Sequence, residues 1–368
     1  IYPQEVVKAG IADWKNAVGT GPFKLKTYVS GASVTYEKNP NYWGTTKIGG
    51  KEYKLPFVDR LEWPIIVDES TRLAALRTGK CDINEAVSWK YRESLEKTNP
   101  DLLRYRELYT TFAAIAMRMD KKPFSDIRVR RAISMAIDRK AYMDTQMGGE
   151  GEILSAPYSM GWPKDLYTPM AELPQSAREL FEYNPTKAKQ LLTEAGYPNG
   201  FKAEMVIYSV YGDENSMLAA FLGAIGVEVT LKPYDYTTYV SIMYGNAHKD
   251  MYSLLKGNGD PYAVFTIART GSIWNPAVFN DKYFMDTLEK ASTASNTAEA
   301  KKILKALNVY LIDQCPYAIL PVAHIYAYAW PWVKNWYGEV NVNARSMGQI
   351  HARVWLDRDL REKMIGRR

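Results

Sequence analysis

Residues Gly19–Gly44 read GTGPFKLKTYVSGASVTYEKNPNYWG and predict a β-hairpin. Apolar and lysine side chains alternate over residues 23–26, and a period of two indicates a half-buried strand. The turn is predicted at Gly31, because glycine accepts the positive φ of a tight reversal. The alternation resumes over residues 34–37 and stops at Pro40, which has no backbone N–H to give to a sheet.

The composition is that of a soluble globular protein. The chain has 368 residues, of which 46% are hydrophobic and 24% charged, and this length predicts two or three domains. The net charge of +6 is small and spread along the chain, whereas nucleic acid requires a clustered basic stripe, so no nucleic-acid partner is expected. The 27 tyrosines and 10 tryptophans fit either large cores or a cleft lined with aromatic rings.

The cysteines and the most apolar run predict core structure. Cys81 and Cys315 are far apart in the sequence, and two isolated thiols are interpreted as buried small hydrophobes, with a disulfide left open. The most apolar run, residues 317–333, is interrupted by two prolines and a histidine. It therefore predicts core strands rather than a membrane span.

A helix is predicted within residues 123–139, PFSDIRVRRAISMAIDR. Ser125 is expected to cap this helix, and Asp126 suits its first turn. Apolar residues recur at spacings of three and four after that point, which indicates one buried helix face. The arginines are expected to form the opposite, solvated face: Arg128, Arg130 and Arg131.

Two literal strings resemble one protein family. G-T-G-P-[FY]-x-L, a hairpin and N-P-x-Y-W in residues 19–43 resemble the signature of the extracytoplasmic solute-binding proteins of family 5. Residues 123–139 resemble that family's pattern P-F-x-D-x-R-V-R-x-A-[IL]-x-x-A-I-D-R, and residues 183–197 resemble its Y-[DN]-P-x-K-A-x-x-L-L-x-x-A-G-[YW]. Members of the family are the peptide-, nickel- and oligosaccharide-binding components of ABC importers.

Strands alternating with helices predict an α/β class, and the resemblance implies a two-lobed periplasmic-binding-protein (type II) fold. Its sheets would be mixed, with a hinge between the lobes. Residues 1–115 would form an incomplete first lobe, residues 116–325 the second lobe, and residues 326–368 the return to the first lobe with a C-terminal tail. The chain resembles the C-terminal part of a longer protein, with the N-terminal portion missing. The basic tail, residues 361–368, is expected to fray.

The resemblance assigns a ligand role to a glycine-rich turn. Residues 254–262, LLKGNGDPY, predict a strand that runs into a turn where the backbone can approach a ligand closely. In peptide-binding members the aspartate of this loop pairs with the α-amino group of the ligand, and Asp260 holds the matching position. Asn258 belongs to the same candidate site. The alternative is that Asp260 caps the turn through its own backbone.

Aromatic side chains complete the candidate ligand site. Tyr208, Tyr211 and Trp274 are candidates for stacking or edge contacts with a ligand, and core packing is the alternative for each. Tyr109 precedes the predicted crossover strand, at a place where the family often lines its cleft.

Motifs of the common hydrolases and nucleotide-binding enzymes are absent from the sequence. It contains no G-x-x-x-x-G-K-[ST], no G-x-S-x-G and no H-E-x-x-H. The histidines show no pairing at metal-ligand spacing: His248, His324 and His351. Neither catalysis nor a bound metal or cofactor is expected.

The predicted function is therefore that of a solute receptor. The resemblance implies capture of a short peptide or similar amine-bearing solute and its delivery to an ABC permease in the membrane. The expected location is the bacterial envelope, in the periplasm or as a cell-surface lipoprotein, and the expected state is a monomer. An oligosaccharide ligand remains open, because aromatic platforms and carboxylates also suit sugars. A secreted hydrolase or a sensory adaptor remains open as a different class.

Overall fold

The computed structural model describes residues 3–10, 13–108, 112–154, 156–158, 162–256, 261–340 and 347–366. The α-helices are α1 (Gln4–Ala9), α2 (Glu69–Arg77), α3 (Arg92–Thr98), α4 (Ile127–Met135), α5 (Arg139–Met147), α6 (Gln175–Arg178), α7 (Pro185–Glu194), α8 (Gly212–Gly223), α9 (Tyr236–Tyr244), α10 (Lys282–Ser292), α11 (Thr297–Gln314), α12 (Met347–His351) and α13 (Arg358–Ile365). The strands are β1 (Phe23–Val29), β2 (Ser33–Lys38), β3 (Thr45–Ile48), β4 (Lys51–Lys54), β5 (Arg60–Pro64), β6 (Ile83–Val87), β7 (Leu103–Leu108), β8 (Phe112–Met117), β9 (Gly151–Glu152), β10 (Phe201–Tyr208), β11 (Val227–Tyr234), β12 (Met251–Lys256), β13 (Tyr317–Ile319), β14 (Val322–Ala329), β15 (Val333–Lys334) and β16 (Trp355–Leu356).

The chain divides into two compact units. Unit 1 contains Ile1–Glu107 and Ile325–Arg368, and unit 2 contains Leu108–His324. The chain leaves unit 1 once and returns to it once, so unit 2 is a single continuous segment. The assignment of these units to the two lobes of a receptor stays a prediction.

Unit 2 is built on a mixed five-stranded sheet in the order β11-β10-β12-β8-β13. Strand β10 is parallel to β11 and β12, whereas β8 is antiparallel to β12 and β13. Residues Ala114–Met117 of β8 are fully buried. The continuous apolar run of the sequence at this point predicts such a strand, because a strand covered on both faces cannot alternate with polar residues.

Helix α4 has the predicted position but a different cap. Asp126 is its N-cap, and its carboxylate accepts the backbone N–H of Arg128 at 2.9 Å. The prediction that Ser125 caps this helix is wrong. Aspartate caps as well as serine does, and Asp126 has the extended backbone that an N-cap needs.

The arginines of α4 do not form one solvated face. Arg128 is exposed, but Arg131 is half-buried and pairs with Glu179, and Arg130 is only 3% exposed. The guanidinium of Arg130 donates to four carbonyl oxygens, those of Phe124, Ser125, Gln314 and Cys315. The interpretation of a solvated face is therefore wrong for Arg130 and Arg131. Arg130 satisfies backbone carbonyls, including those at the end of α11, and Arg131 is held in its ion pair with Glu179.

Unit 1 has its own core. Leu73 and Leu76 of α2 are fully buried, as the apolar spacing of this helix predicts. Trp330 and Trp332 stack at 4.5 Å between ring centroids, and the indole N–H of Trp332 donates to the carboxylate of Asp82 at 2.8 Å. A buried indole thus keeps its hydrogen bond while its ring fills the core.

The hairpin predicted from residues 19–44 is present in unit 1. Strands β1 and β2 pair antiparallel with Phe23 opposite Lys38, and Gly31 in the connecting turn has φ +70°. β5 adds a third strand on the other side of β2. The side-chain amide of Asn39 donates to the carbonyl of Gly21 at 2.8 Å, which closes the base of the hairpin.

The C-terminal segment is helical through Ile365. Asp357 caps α13 by accepting the N–H of Leu360 at 3.0 Å, and the guanidinium of Arg361 lies over the Trp332 ring at 5.8 Å. The expected fraying of residues 361–368 is therefore wrong as far as Gly366, because apolar side chains of this helix pack on the unit 1 core. Residues 367–368 lie outside the described residues.

Both cysteines are free thiols. Cys315 is fully buried, as expected, and Cys81 is half-buried. In the described ranges no helix combines the length and the apolar composition needed to cross a membrane.

Candidate ligand-binding site

One edge of the unit 2 sheet collects the carboxyl ends of β10 and β12, because these strands are parallel. Ligands of open α/β sheets bind outside the carboxyl ends of strands, where loops diverge from the sheet. After Tyr208 the chain enters a short 3-10 turn, Ser209–Tyr211, and then α8. Lys256, the last residue of β12, pairs with Phe112 of β8.

A small pocket of about 40 Å³ opens at this edge. Its wall combines aromatic, polar and aliphatic side chains that come from the sheet and from the helices beside it. The residues that line it are Ala113, Tyr142, Tyr208, Tyr211, Glu214, Asn215, Leu218, Tyr239, Ser253, Leu254, Leu255 and Leu320. Two predicted site residues, Tyr208 and Tyr211, are therefore brought together here.

Tyrosine rings form a connected cluster around the end of β10. The half-buried ring of Tyr208 lies 5.7 Å from that of Tyr211, 5.5 Å from Tyr236 and 5.8 Å from Tyr239, measured between centroids. Tyr239 stacks in turn on Tyr252 at 4.6 Å. Ring pairs of this kind contribute more stabilisation than their buried apolar area alone would give. The cluster therefore holds the tyrosine rings beside the pocket in place.

Two phenols of this wall, Tyr239 and Tyr142, have raised pKa values. Burial raises the pKa of Tyr239 to about 12, and its hydroxyl donates to the carbonyl of Ser253. Burial, with the charge of Glu214 and a hydrogen bond to it, also raises the pKa of the Tyr142 hydroxyl above its usual range. At neutral pH the hydroxyls of Tyr239 and Tyr142 are therefore protonated and donate hydrogen bonds.

Asn215 lines the pocket and carries a buried acceptor. Its side chain is 2% exposed, and its amide nitrogen donates to the carbonyl of Tyr211 at 2.7 Å. The amide oxygen has no hydrogen-bond partner among the described residues. A buried acceptor without a donor is unusual in a folded protein and indicates a missing partner.

Trp274 is not among the residues that line this pocket. It is half-buried, its ring meets that of Tyr244 edge to face at 5.2 Å, and it packs on the unit 2 core. A role for Trp274 in ligand binding stays a prediction.

Three predicted site residues lie outside the described residues: Tyr109, Asn258 and Asp260. The described backbone next to them is well connected. Phe112 and Lys256 pair across β8 and β12, and the carbonyl of Pro261 accepts a hydrogen bond from the hydroxyl of Tyr158. The proposed roles of the three residues stay predictions.

Sequence reasoning missed the polar part of the pocket: Tyr142, Glu214, Asn215 and Tyr239. Glu214 and Asn215 stand in YGDEN, directly after the turn that follows β10. The rule that ligands bind beyond the carboxyl ends of parallel strands could have found them. For Tyr142, on α5, no local signal exists, because only tertiary packing brings it to this edge.

No metal-binding cluster of three or more histidine, cysteine, aspartate or glutamate side chains occurs in the part of the chain that the structure describes. His248 is buried and shares a 2.8 Å hydrogen bond with the Pro276 carbonyl. His324 and His351 lie 3.6 and 3.7 Å from the carboxylates of Glu152 and Glu85. These histidines are separate from each other and from the pocket.

Comparison with known proteins identifies the family. Residues 3–287 match the bacterial extracellular solute-binding proteins, family 5 Middle. The chain belongs to this family. Heme-binding protein A of Haemophilus influenzae is 30% identical over 346 residues, which cover 89% of this chain and 58% of that protein. Di/tripeptide-binding protein 2 of Pseudomonas aeruginosa is 29% identical over 339 residues, with coverages of 88% and 59%.

Solved structures of other binding proteins share the fold. The periplasmic binding protein DppA from Helicobacter pylori, in complex with the peptide STSA, matches with a TM-score of 0.74 and 24% identity over 92% of this chain and 63% of that chain. AgaA from A. tumefaciens R10, in complex with agropinic acid, matches with a TM-score of 0.76 and 24% identity over 92% and 67%. The predicted periplasmic-binding-protein fold is confirmed. The chain spans less than two thirds of the length of either curated relative.

Proposed function

We propose that this chain is the solute-capturing part of an ABC importer receptor that binds a short peptide or a similar amine-bearing solute. The receptor would deliver its solute to a permease in the membrane. It would act as a monomer in the periplasm or as a lipoprotein on the cell surface. The observation that carries the proposal is a tyrosine-walled pocket at the carboxyl edge of the unit 2 sheet, in a chain of a solute-binding family.

The relatives favour a peptide as the solute. Two of them are a di/tripeptide-binding protein from Pseudomonas aeruginosa and a dipeptide-binding protein from Escherichia coli, at 29% and 25% identity. The chemistry of the pocket agrees with this class, because phenol rings and one carboxylate suit a ligand that carries both apolar and amine groups. The family is one of solute-binding proteins, and we propose that the chain captures its ligand without converting it.

An oligosaccharide is the second candidate. The specific observation in its favour is the tyrosine cluster, in which Tyr208 contacts three further rings within 6 Å, since aromatic faces stack on sugar rings. A secreted hydrolase would differ from both candidates by turning its ligand over. A sensory adaptor would differ by acting on a receptor rather than a permease.

Native mass spectrometry of freshly purified protein tests the proposal. A co-purified ligand whose mass and fragments are those of a short peptide would support it. Titration calorimetry should then show that Ala-Ala-Ala binds, and mass spectrometry of the same mixture should find no free alanine. Binding of maltotriose but not of the peptide would replace the peptide by the sugar, and release of alanine would establish a hydrolase instead.

A further inference from the structure

We propose that the pocket between the end of β10 and the start of α8 binds a primary ammonium group of the solute, with Glu214 and Asn215 as its acceptors. The inference rests on the proposed function and names the group that this pocket selects. It places the recognition of charge in the described part of unit 2, in addition to any role of the loop that contains Asp260.

The orientation of Asn215 is fixed by its surroundings. Its amide nitrogen lies 2.7 Å from the carbonyl oxygen of Tyr211, and a reversed amide would place two oxygens against each other. The amide oxygen is therefore the atom left without a partner among the described residues. A buried acceptor of this kind needs a donor from the solute or from water.

The charge of the pocket selects the donor. Among the described residues that line it, Glu214 is the one carboxylate, and none is lysine, arginine or histidine. An ammonium carries three N–H donors and no acceptor, so it matches the carboxylate of Glu214 and the free oxygen of Asn215 together. The tyrosine faces of the wall attract a cation further. A carboxylate of the solute would be repelled.

The amino end of α8 does not reverse this preference. A helix amino end attracts anions, but Asp213 and Glu214 stand in the first turn of α8 and already complement its dipole. The hydroxyl of Tyr142 also donates to Glu214, which holds the carboxylate in place at the pocket.

The size of the pocket favours a head group. A volume of about 40 Å³ holds about three water molecules. An ammonium with the end of its alkyl stem fills such a space, whereas a sugar ring does not enter it. The stem would lie against Leu218 and Leu254, which also line the pocket.

Titration calorimetry with three peptides tests the inference on the 368-residue chain. Ala-Ala-Ala offers an α-ammonium, acetyl-Ala-Lys-Ala offers a side-chain ammonium, and acetyl-Ala-Ala-Ala offers neither. Glu214→Gln removes the charge but keeps an acceptor for Tyr142. Asp213→Asn is the control variant, because it removes one negative charge from the exposed side of the same helix turn. Thermal melting of both variants checks that they fold.

We expect at least one ammonium-bearing peptide to bind and acetyl-Ala-Ala-Ala to bind at least tenfold more weakly. Glu214→Gln should weaken the ammonium-bearing peptide about thirtyfold or more, the effect typical of removing one partner of a desolvated charge pair. Asp213→Asn should leave its affinity within about twofold, because an exposed charge contributes little. Whether the effect falls on Ala-Ala-Ala or on acetyl-Ala-Lys-Ala identifies the source of the ammonium.

Two results would overturn the inference while the proposed function stands: equal affinity of Glu214→Gln and wild type, or equal affinity for the neutral and the charged peptides. Absence of binding by all three peptides would overturn the peptide-receptor proposal itself, and the inference would fall with it.

Discussion

The guanidinium of Arg130 donates to the carbonyl of Cys315 at 3.2 Å, and the thiol of Cys315 lies 3.5 Å from the carbonyl of Arg130. Cys315 caps the carboxyl end of α11 and lies in the left-handed region, at φ +51°. The last carbonyls of a helix have no hydrogen-bond partner within the helix. Arg130 supplies those partners from α4. Burial raises the pKa of the Cys315 thiol to about 11, so this residue is an inert part of the unit 2 core.

Arg130→Lys should lower the free energy of unfolding by about 1–3 kcal/mol, because one ammonium cannot reach the four carbonyls that the guanidinium fork satisfies. Urea denaturation measures the effect. Arg128→Lys is the matched control, since Arg128 occupies the exposed side of the same helix. Equal denaturation midpoints for the two variants would show that the buried fork does not stabilise the packing of α4.

Gly79→Ala should destabilise unit 1. Gly79 has φ +64°, and a Cβ there would lie 2.6 Å from Ile365 and 3.2 Å from Trp332. Left-handed strain of about 1–2 kcal/mol would add to the cost of moving the Ile365 side chain off its packing against Trp332. Gly366→Ala is the control, because Gly366 has φ +69° but open space around it. Thermal melting should show the larger loss for Gly79→Ala, and equal losses would mean that strain alone acts.

His248 should make the protein less stable as the pH falls from 6.5 to 4. Burial and the charge of Arg118 lower the pKa of His248 to about 4 from its ordinary 6.5. Between these values the unfolded chain binds a proton that the folded chain does not, so stability rises with pH across this window. The contribution is about 3 kcal/mol for a difference of about 2.5 pH units.

Urea denaturation at pH 7, 5.5 and 4.5 measures this dependence. His248→Gln offers a donor for the Pro276 carbonyl but does not titrate, so its stability should fall less on acidification than that of wild type. The comparison removes the effect of carboxylates elsewhere, which titrate in both proteins. Parallel pH profiles of the two proteins would show that His248 is not the responsible group.

The sequence predicts the elements whose signals are local. The hairpin of residues 19–44 and helix α4 follow from patterns that span a few residues, and both are present. The burial of Arg130 could not be predicted, because its partners Gln314 and Cys315 come 184 and 185 residues later. Nothing in the sequence of α4 indicates that carbonyl groups at the end of α11 will lie beside it.

In the candidate site, too, some residues have a local sequence signal and others are brought in only by tertiary packing. Tyr208 is the last residue of β10 and Tyr211 closes the turn that follows it, and the structure places both at the pocket. Tyr142 and Glu214 meet only because α5 and α8 approach the same edge of the sheet. Sequence patterns state which residues end a strand but not which helix lies beside it.

Asp260 is predicted to anchor the α-ammonium of a peptide. If the pair forms in a site from which water is excluded, removal of the carboxylate should cost about 2–5 kcal/mol of binding free energy. Asp260→Ala should therefore weaken a peptide such as Ala-Ala-Ala tens- to thousands-fold. The melting temperature should change little, because a turn residue contributes only a small capping effect.

Asp260→Asn separates this role from that of a turn residue, because asparagine keeps most of the turn hydrogen bonds and removes the charge. If Asp260 anchors the ammonium, the Asn variant should bind almost as weakly as the Ala variant and should melt at the same temperature as wild type. If calorimetry shows normal binding by Asp260→Asn, or if Asp260→Ala mainly lowers the melting temperature, Asp260 shapes the turn. Glu214 would then remain as the proposed carboxylate for the ammonium, and the effect of Glu214→Gln on Ala-Ala-Ala would decide whether it holds the α-ammonium.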